Sequence, residues 1–299
     1  MSQELAWIDG TITPVEEARV PFLDHGYFFG YGVYEAMRTY GGRIFALQDH
    51  FDRLGKSMKV LGLSIDLSWA DLDKVLVDLI AQSDLRPETL VYLQVTRGPA
   101  LRRVVRPETK PVVSIFTSQL EPVPEELRRQ GVKAISLPDQ RWRRPDIKSL
   151  NLLPNVLARV QAEEAGAHEA IFYLAEGGGQ EAKVLRVTEG AMSNVFAVFD
   201  GVVMTPPADG SILAGVTRLK VMQSAAAHGV NIIEKHFSVE ELRRADEIFI
   251  SSTGTEALGI ARLDGQDVGD GKAGPLSLQI AEWFLEDCSR IEKIHRINL

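Results

Sequence analysis

Pro122 and Pro124 stand one residue apart in the stretch Leu120-Glu121-Pro122-Val123-Pro124. Neither a helix interior nor a central strand accommodates such a pair, because each ring removes a backbone donor and fixes φ. A domain boundary is therefore expected there. It would leave a smaller mixed α/β domain over residues 1–120 and a larger α/β domain over 121–299. A chain of 299 residues can bury cores for both.

In the first segment Trp7-Ile8-Asp9-Gly10 reads as a short strand and turn. Val33 to Tyr40, aromatic and β-branched, reads as a strand, and Gly41-Gly42 turns it into a second one, Arg43 to Phe45. A helix follows over Gln48 to Leu61, with Phe51, Leu54, Met58 and Leu61 on one stripe and Gly62 as its cap. Ser68 with Asp71 opens another helix, carrying Leu72, Val75, Leu76, Leu79 and Ile80. Strands near Leu90 to Thr96 and Val112 to Thr117 complete a sheet with two helices on one side.

The second segment alternates. Strands are expected at Val132 to Leu137, Ala170 to Leu174, Val184 to Thr188, Asn194 to Val198 and Glu247 to Ser251. Helices are expected at Pro154 to Ala165, at Thr217 to His228, in a short piece opened by the Ser238–Glu241 capping box, and from Pro275 through Ile280, Trp283, Phe284 and Ile291. Gly177-Gly178-Gly179 reads as a surface loop.

A formal net charge of -8 argues against nucleic acid or an anionic membrane as the main partner. Arg97, Arg102, Arg103 and Arg106 are a local exception, read as a solvated face. Cys288 is the only cysteine and the histidines are scattered, so no disulfide and no metal site is expected. With no leader-like start and no long apolar run, a cytoplasmic enzyme is the expectation.

Five features carry chemistry, and each has a plainer, structural alternative. Lys148 lies in the apolar stretch Asp146-Ile147-Lys148-Ser149-Leu150-Asn151. Burial can turn a lysine into an amine that bonds an aldehyde; otherwise it is a surface residue. Glu189, after Val187-Thr188, could hold a proton on a pyridine nitrogen, or simply end a strand in water. Gly215 before Val216 and Thr217 could open an anion-binding helix N-terminus, or only a helix. Arg53, on the first long helix, and the cluster Ser251-Ser252-Thr253-Gly254-Thr255 could add phosphate donors.

The joint order of these features resembles the class IV aminotransferases, the pyridoxal-phosphate (PLP) enzymes of fold type IV. The likeness rests on Gly30 to Arg38, Asp49 to Leu54, Gln94 to Gly98, Asp146 to Leu153, Thr188 to Gly190 with Ser193-Asn194, and Gly215 to Arg218. It runs from Trp7 to Ile291, and within the family it is greatest toward bacterial D-amino acid aminotransferases. The resemblance implies a smaller N-terminal α/β domain, a larger barrel-like C-terminal cofactor-binding domain, and an active site at their interface. It implies PLP on Lys148, the ring nitrogen on Glu189, and the phosphate on Arg53, the Val216 and Thr217 amides and Thr253. Ser193, Asn194 and Leu213 would line the cofactor, and Tyr34, Arg38 and Arg102 would contact substrate, Tyr34 and Arg102 at its carboxylate. The partners implied are an amino acid, D-alanine or D-glutamate above others, a 2-oxo acid, and a second copy of the chain.

The chain also departs from the D-type pattern. Val104 stands where those enzymes have a histidine, and Arg38 is the branched-chain choice, whereas Phe29, Tyr34 and Leu152 are D-type. A branched-chain L-amino acid aminotransferase, an aminodeoxychorismate lyase and a PLP-binding protein without turnover are the alternatives.

Overall fold

The computed structural model describes residues 3–177 and 184–296, with backbone alone from 291 onward. Gly178 and Gly179 of the expected loop and the side chain of Ile291 lie outside the described residues.

The chain divides into two compact units. One comprises Met1–Pro122, Ile147–Asn151 and Cys288–Leu299, the other Val123–Asp146 and Leu152–Asp287. A single cut at 120/121 was expected; instead Ile147–Asn151 belongs with the first unit, because its backbone pairs with a strand there.

The first unit contains β1 (Leu5–Ile8), β2 (Thr11–Pro14), α1 (His25–Phe29), β3 (Gly32–Tyr40), β4 (Arg43–Ile44), α2 (Leu47–Leu61), α3 (Trp69–Ser83), β5 (Glu88–Thr96) and β6 (Val112–Leu120). The strands form an antiparallel sheet in the order β2-β1-β6-β5-β3-β4. Side chains alternate along a strand, so Val33 and Met37 of β3 enter the core with Val91, Leu93 and Val95 of β5. The apolar stripes of α2 and α3 close that core with Phe51, Leu54, Met58, Leu72, Leu76 and Leu79. The Ser68 hydroxyl accepts the Asp71 amide at the start of α3, as the sequence predicts. On the other face Tyr34, Tyr92 and Phe116 stack in a row, with centroids 5.5 Å and 5.1 Å apart.

The second unit contains α4 (Glu125–Gln130), β7 (Val132–Pro138), α5 (Leu153–Glu164), β8 (Glu169–Glu176), β9 (Val184–Gly190), β10 (Asn194–Phe199), β11 (Val202–Thr205), α6 (Val216–Ala227), β12 (Ile232–Glu234), α7 (Val239–Leu242), β13 (Glu247–Ser252), β14 (Glu256–Leu263), β15 (Gln266–Asp267) and the start of α8 (Pro275–Arg296). Its mixed sheet runs β12-β11-β10-β13-β14-β7-β8-β9, with β15 on β14, a half-barrel. Val195, Ala197, Ile248, Ile250, Leu258 and Ile260 fill its core. The Ser238–Glu241 capping box is present at α7.

Candidate active site

Lys148 sits in a segment that adds a short edge to β3. Its carbonyl accepts the Tyr34 amide at 3.0 Å, and the Leu150 amide donates to the Gly32 carbonyl at 3.1 Å. A Cβ at Gly32 would meet the Val95 carbonyl at 2.7 Å and Leu150 Cδ1 at 2.6 Å, so glycine permits this approach. Ile147 anchors the segment in the first core, and the ammonium of Lys148 lies 4.3 Å from the centroid of the Tyr34 ring. Lys148 is half-buried.

Glu35 lies on the same parity of β3 as Val33 and Met37, so its carboxylate faces α2 inside the core. There Arg53 grips it with two bonds, Nε to Oε1 at 2.8 Å and Nη2 to Oε2 at 2.6 Å, and His50 Nδ1 lies 2.7 Å from Oε2. Burial alone would push the Glu35 carboxyl up; Arg53, and then His50, reverse this and hold it at about 2. Burial pushes the His50 imidazole down, against the pull of Glu35. Glu35 and His50 were not among the expected site residues. The signal was present: an acid on the core-facing parity of a strand, opposite a histidine and an arginine three apart on a helix.

The expected substrate residues have different settings. Tyr34 is buried beneath Lys148 and stacks on Tyr92. Arg38 is also buried; it pairs with Glu88 and lies over the Tyr40 ring, so its charge is matched within the sheet. A substrate contact was expected of Arg38; the structure shows its guanidinium engaged with Glu88 and the Tyr40 ring. Arg102 is exposed, with its guanidinium carbon 5.3 Å from the Phe29 centroid. The expectation of a solvated arginine face fails at Arg97. That residue is 4 % exposed and donates to the Leu61 and Gly62 carbonyls at 2.9 Å and 2.6 Å, closing the C-terminus of α2.

In the second unit Glu189, at the end of β9, is buried and multiply bonded. Its Oε1 accepts Arg141 Nη1 at 2.5 Å, its Oε2 accepts Asn194 Nδ2 at 3.1 Å, and the Leu213 amide donates to both oxygens at 3.1 Å. Arg141 is itself held by Asp139, through Nε at 3.0 Å and Nη2 at 2.7 Å. Burial pushes the Glu189 carboxyl up, Asp139 adding to this, while Arg141 and the Leu213 amide oppose it. Leu213 and Asn194 thus meet the expected acid, Leu213 through its backbone. Arg141 and Asp139 were missed; in sequence Arg141 belongs to a run with Arg143 and Arg144 that looks solvated.

Ser193 donates to the buried Glu169 at 2.8 Å, which ties it to the fold rather than to Glu189. Gly215 is the N-cap of α6 with no side-chain cap, so the first-turn amides, Val216 and Thr217 among them, lack an intrahelical acceptor. Arg218 fixes the helix start by donating to the Pro206 carbonyl at 2.9 Å and to Glu234 at 2.6 Å. A Cβ at Gly215 would meet Asn194 Oδ1 at 2.0 Å, so glycine is needed for Asn194 and the helix start to coexist. Thr253 lies in the half-buried turn after β13.

The amino-transferase class IV family model matches residues 32–263 of this chain. The chain belongs to the class IV aminotransferases. It is 41% identical over 278 residues to the D-alanine aminotransferase of Listeria monocytogenes, covering 92% of this chain and 93% of that protein. It is 39% identical over 280 residues to the D-alanine aminotransferase of Staphylococcus epidermidis, with 93% and 95% covered. Among solved structures the Escherichia coli branched-chain amino acid aminotransferase superposes with a TM-score of 0.85, at 27% identity and over 96% and 94% of the two chains. As a member of this family the protein is a PLP-dependent aminotransferase, and the mixed fold expected from the sequence is the fold it has.

Two observations fit a bound pyridine ring and phosphate. Asp139, Arg141 and Glu189 place two buried carboxylates around one guanidinium, leaving one negative charge for a cation such as a protonated ring nitrogen. Ser251 faces the same side of the sheet as its cross-strand partner Asn194, and its buried hydroxyl has no partner among the described residues.

Proposed function

We propose that this aminotransferase takes its amino group from D-amino acids, D-alanine or D-glutamate above others, and passes it to a 2-oxo acid. The observation that carries this reading is the identity gap. The D-alanine aminotransferases reach 41% over most of the chain, against 27% for the branched-chain enzyme that superposes so well. Tyr34 and Arg102 support it as a phenol and a guanidinium for the substrate carboxylate.

When bound, PLP supplies the aldehyde that receives the amino group and a ring that takes up negative charge. Lys148 would be the amine that holds it, and the same amine, when free, would be the base that moves the proton at the substrate α-carbon. Glu189 holds the proton on the ring nitrogen, with Asn194 and the Leu213 amide bonded to its carboxylate. Arg53, steadied by Glu35 and His50, holds the phosphate with the amides of Val216 and Thr217 and with Thr253. Ser193 acts through Glu169 on the turn between β9 and β10.

A homodimer belongs to the same proposal. Leu153, Val156, Leu157 and Val160 form an exposed apolar stripe along α5, at the i, i+3, i+4, i+7 spacing of a helix face that packs on something. A cytoplasmic setting suits a chain whose one cysteine, Cys288, can form no internal disulfide.

The test is a donor screen with D- and L-alanine, glutamate, leucine and valine against pyruvate and 2-oxoglutarate. D-alanine or D-glutamate should give the highest kcat/KM. A higher value for L-leucine or L-valine would replace the D-specific reading with the branched-chain one. Turnover that stops after the first half-reaction would point to a lyase.

A further inference from the structure

The Arg141 guanidinium is held through three of its N–H donors and on one face. Nη1 donates to Glu189 and Nε and Nη2 grip Asp139, while the plane lies over Phe172, 4.9 Å from the ring centroid. Asp139 is fixed in turn: it accepts the Thr188 hydroxyl at 3.2 Å and the Arg141 amide at 3.1 Å. The guanidinium cannot leave Glu189 without also breaking its fork to Asp139. Both carboxylates and the guanidinium are less than a tenth exposed, a setting in which an unmatched charge is strongly disfavoured.

We propose that Arg141 is a positioning residue which, clamped by Asp139, sets the charge and direction of the Glu189 carboxylate for the cofactor ring nitrogen. The inference rests on Glu189 having that ring as its partner. Burial works against an ionised Glu189, and among the described residues Arg141 is the only guanidinium or ammonium that meets it. The other groups facing it are neutral, the Leu213 amide and the Asn194 carboxamide, and Asp139 repels it. Without Arg141 the carboxyl would keep its proton, and a neutral acid cannot balance a pyridinium. Asp139 prevents the opposite fault: a full, closed ion pair between Arg141 and Glu189 would leave no charge for the ring. Two acids on one guanidinium keep one negative charge in reserve.

The experiment compares the parent holoenzyme with Arg141→Met, Arg141→Lys and Asp139→Asn. The visible absorption of the bound cofactor is titrated against pH, PLP affinity is measured by equilibrium dialysis, and borohydride labelling of Lys148 is followed by mass spectrometry. Arg141→Met should keep the Lys148 label but shift the spectral titration. It should lower kcat roughly ten- to a hundredfold, the scale of one charge-assisted hydrogen bond, with little change in KM. Arg141→Lys should partly reverse both effects. If Arg141→Met does not fold, Asp139→Asn should show the spectral shift in smaller size. A parent-like titration in whichever of these variants folds, with only a lower melting temperature, would overturn the inference and leave Arg141 a structural residue. Absence of the Lys148 label in the parent would instead overturn the site on which the inference rests.

Discussion

Glu35 and Arg53 meet as a two-point pair, at 2.8 Å and 2.6 Å, with the carboxylate 1% exposed. The cation assigned to the cofactor phosphate is therefore fixed before any ligand arrives. It also carries a pH signature. The Glu35 carboxyl is held at about 2 in the fold, against about 4.3 when unfolded. Its ionised form thus stabilises the fold at neutral pH, by an amount on the order of 3 kcal/mol, and the contribution is lost as pH falls from about 4 through about 2. His50, pushed down by burial, binds its proton more readily when unfolded, so it begins to erode stability as pH drops below about 6.5. Urea unfolding across pH 7 to 2 should show both losses. Glu35→Gln should flatten the acidic limb.

Arg53→Ala removes the guanidinium from both its roles. It leaves Glu35 buried beside His50 alone, a situation that costs about 3–5 kcal/mol. It should also lower PLP affinity, and high PLP should only partly restore the lost melting temperature. Calorimetry at several PLP concentrations checks this; complete recovery at saturating PLP would mean that Arg53 acts on the cofactor alone.

Gly215→Ala drives a methyl group into Asn194 Oδ1. Asn194 ties Glu189 to the Leu213 carbonyl, at 3.1 Å and 3.0 Å, so the disturbance reaches the ring partner directly. A loss of about 1–3 kcal/mol in stability is expected, together with faster PLP release. Retention of PLP at the parent's rate would count against the placement of the α6 start in the site.

Arg102→Ala should leave stability within about 0.5 kcal/mol, because Arg102 is exposed and lies over the Phe29 ring at the surface. Its effect should fall on KM for the D-donor, with kcat nearly constant, the pattern of lost uniform binding. Steady-state kinetics with D-alanine decide this; an unchanged KM would remove Arg102 from the carboxylate site.

Much of the frame was legible. The stripe of α2, the cap at Ser68 and the box at Ser238–Glu241 are local signals, and local signals survive into the fold. β14 was not legible, because Ala257, Leu258, Ile260 and Ala261 are buried on both faces and do not alternate. α1 and α4 are too short to build a helical period. In the candidate site Lys148 and Glu189 stood out only through the order of several blocks. Their supports, Glu35 and Arg141, depend on which side of a strand or loop turns inward. Arg97 and Arg141 share one lesson: an arginine in a basic run reads as solvated until its acceptors, distant in sequence, are brought to it.

The measurement that bears most directly on the whole account is borohydride reduction of the purified holoenzyme, followed by peptide mass spectrometry. A phosphopyridoxyl group on the peptide containing Lys148, absent after Lys148→Ala while that variant still binds PLP non-covalently, is the predicted result. A label on any other lysine, or an undiminished label in Lys148→Ala, would contradict it.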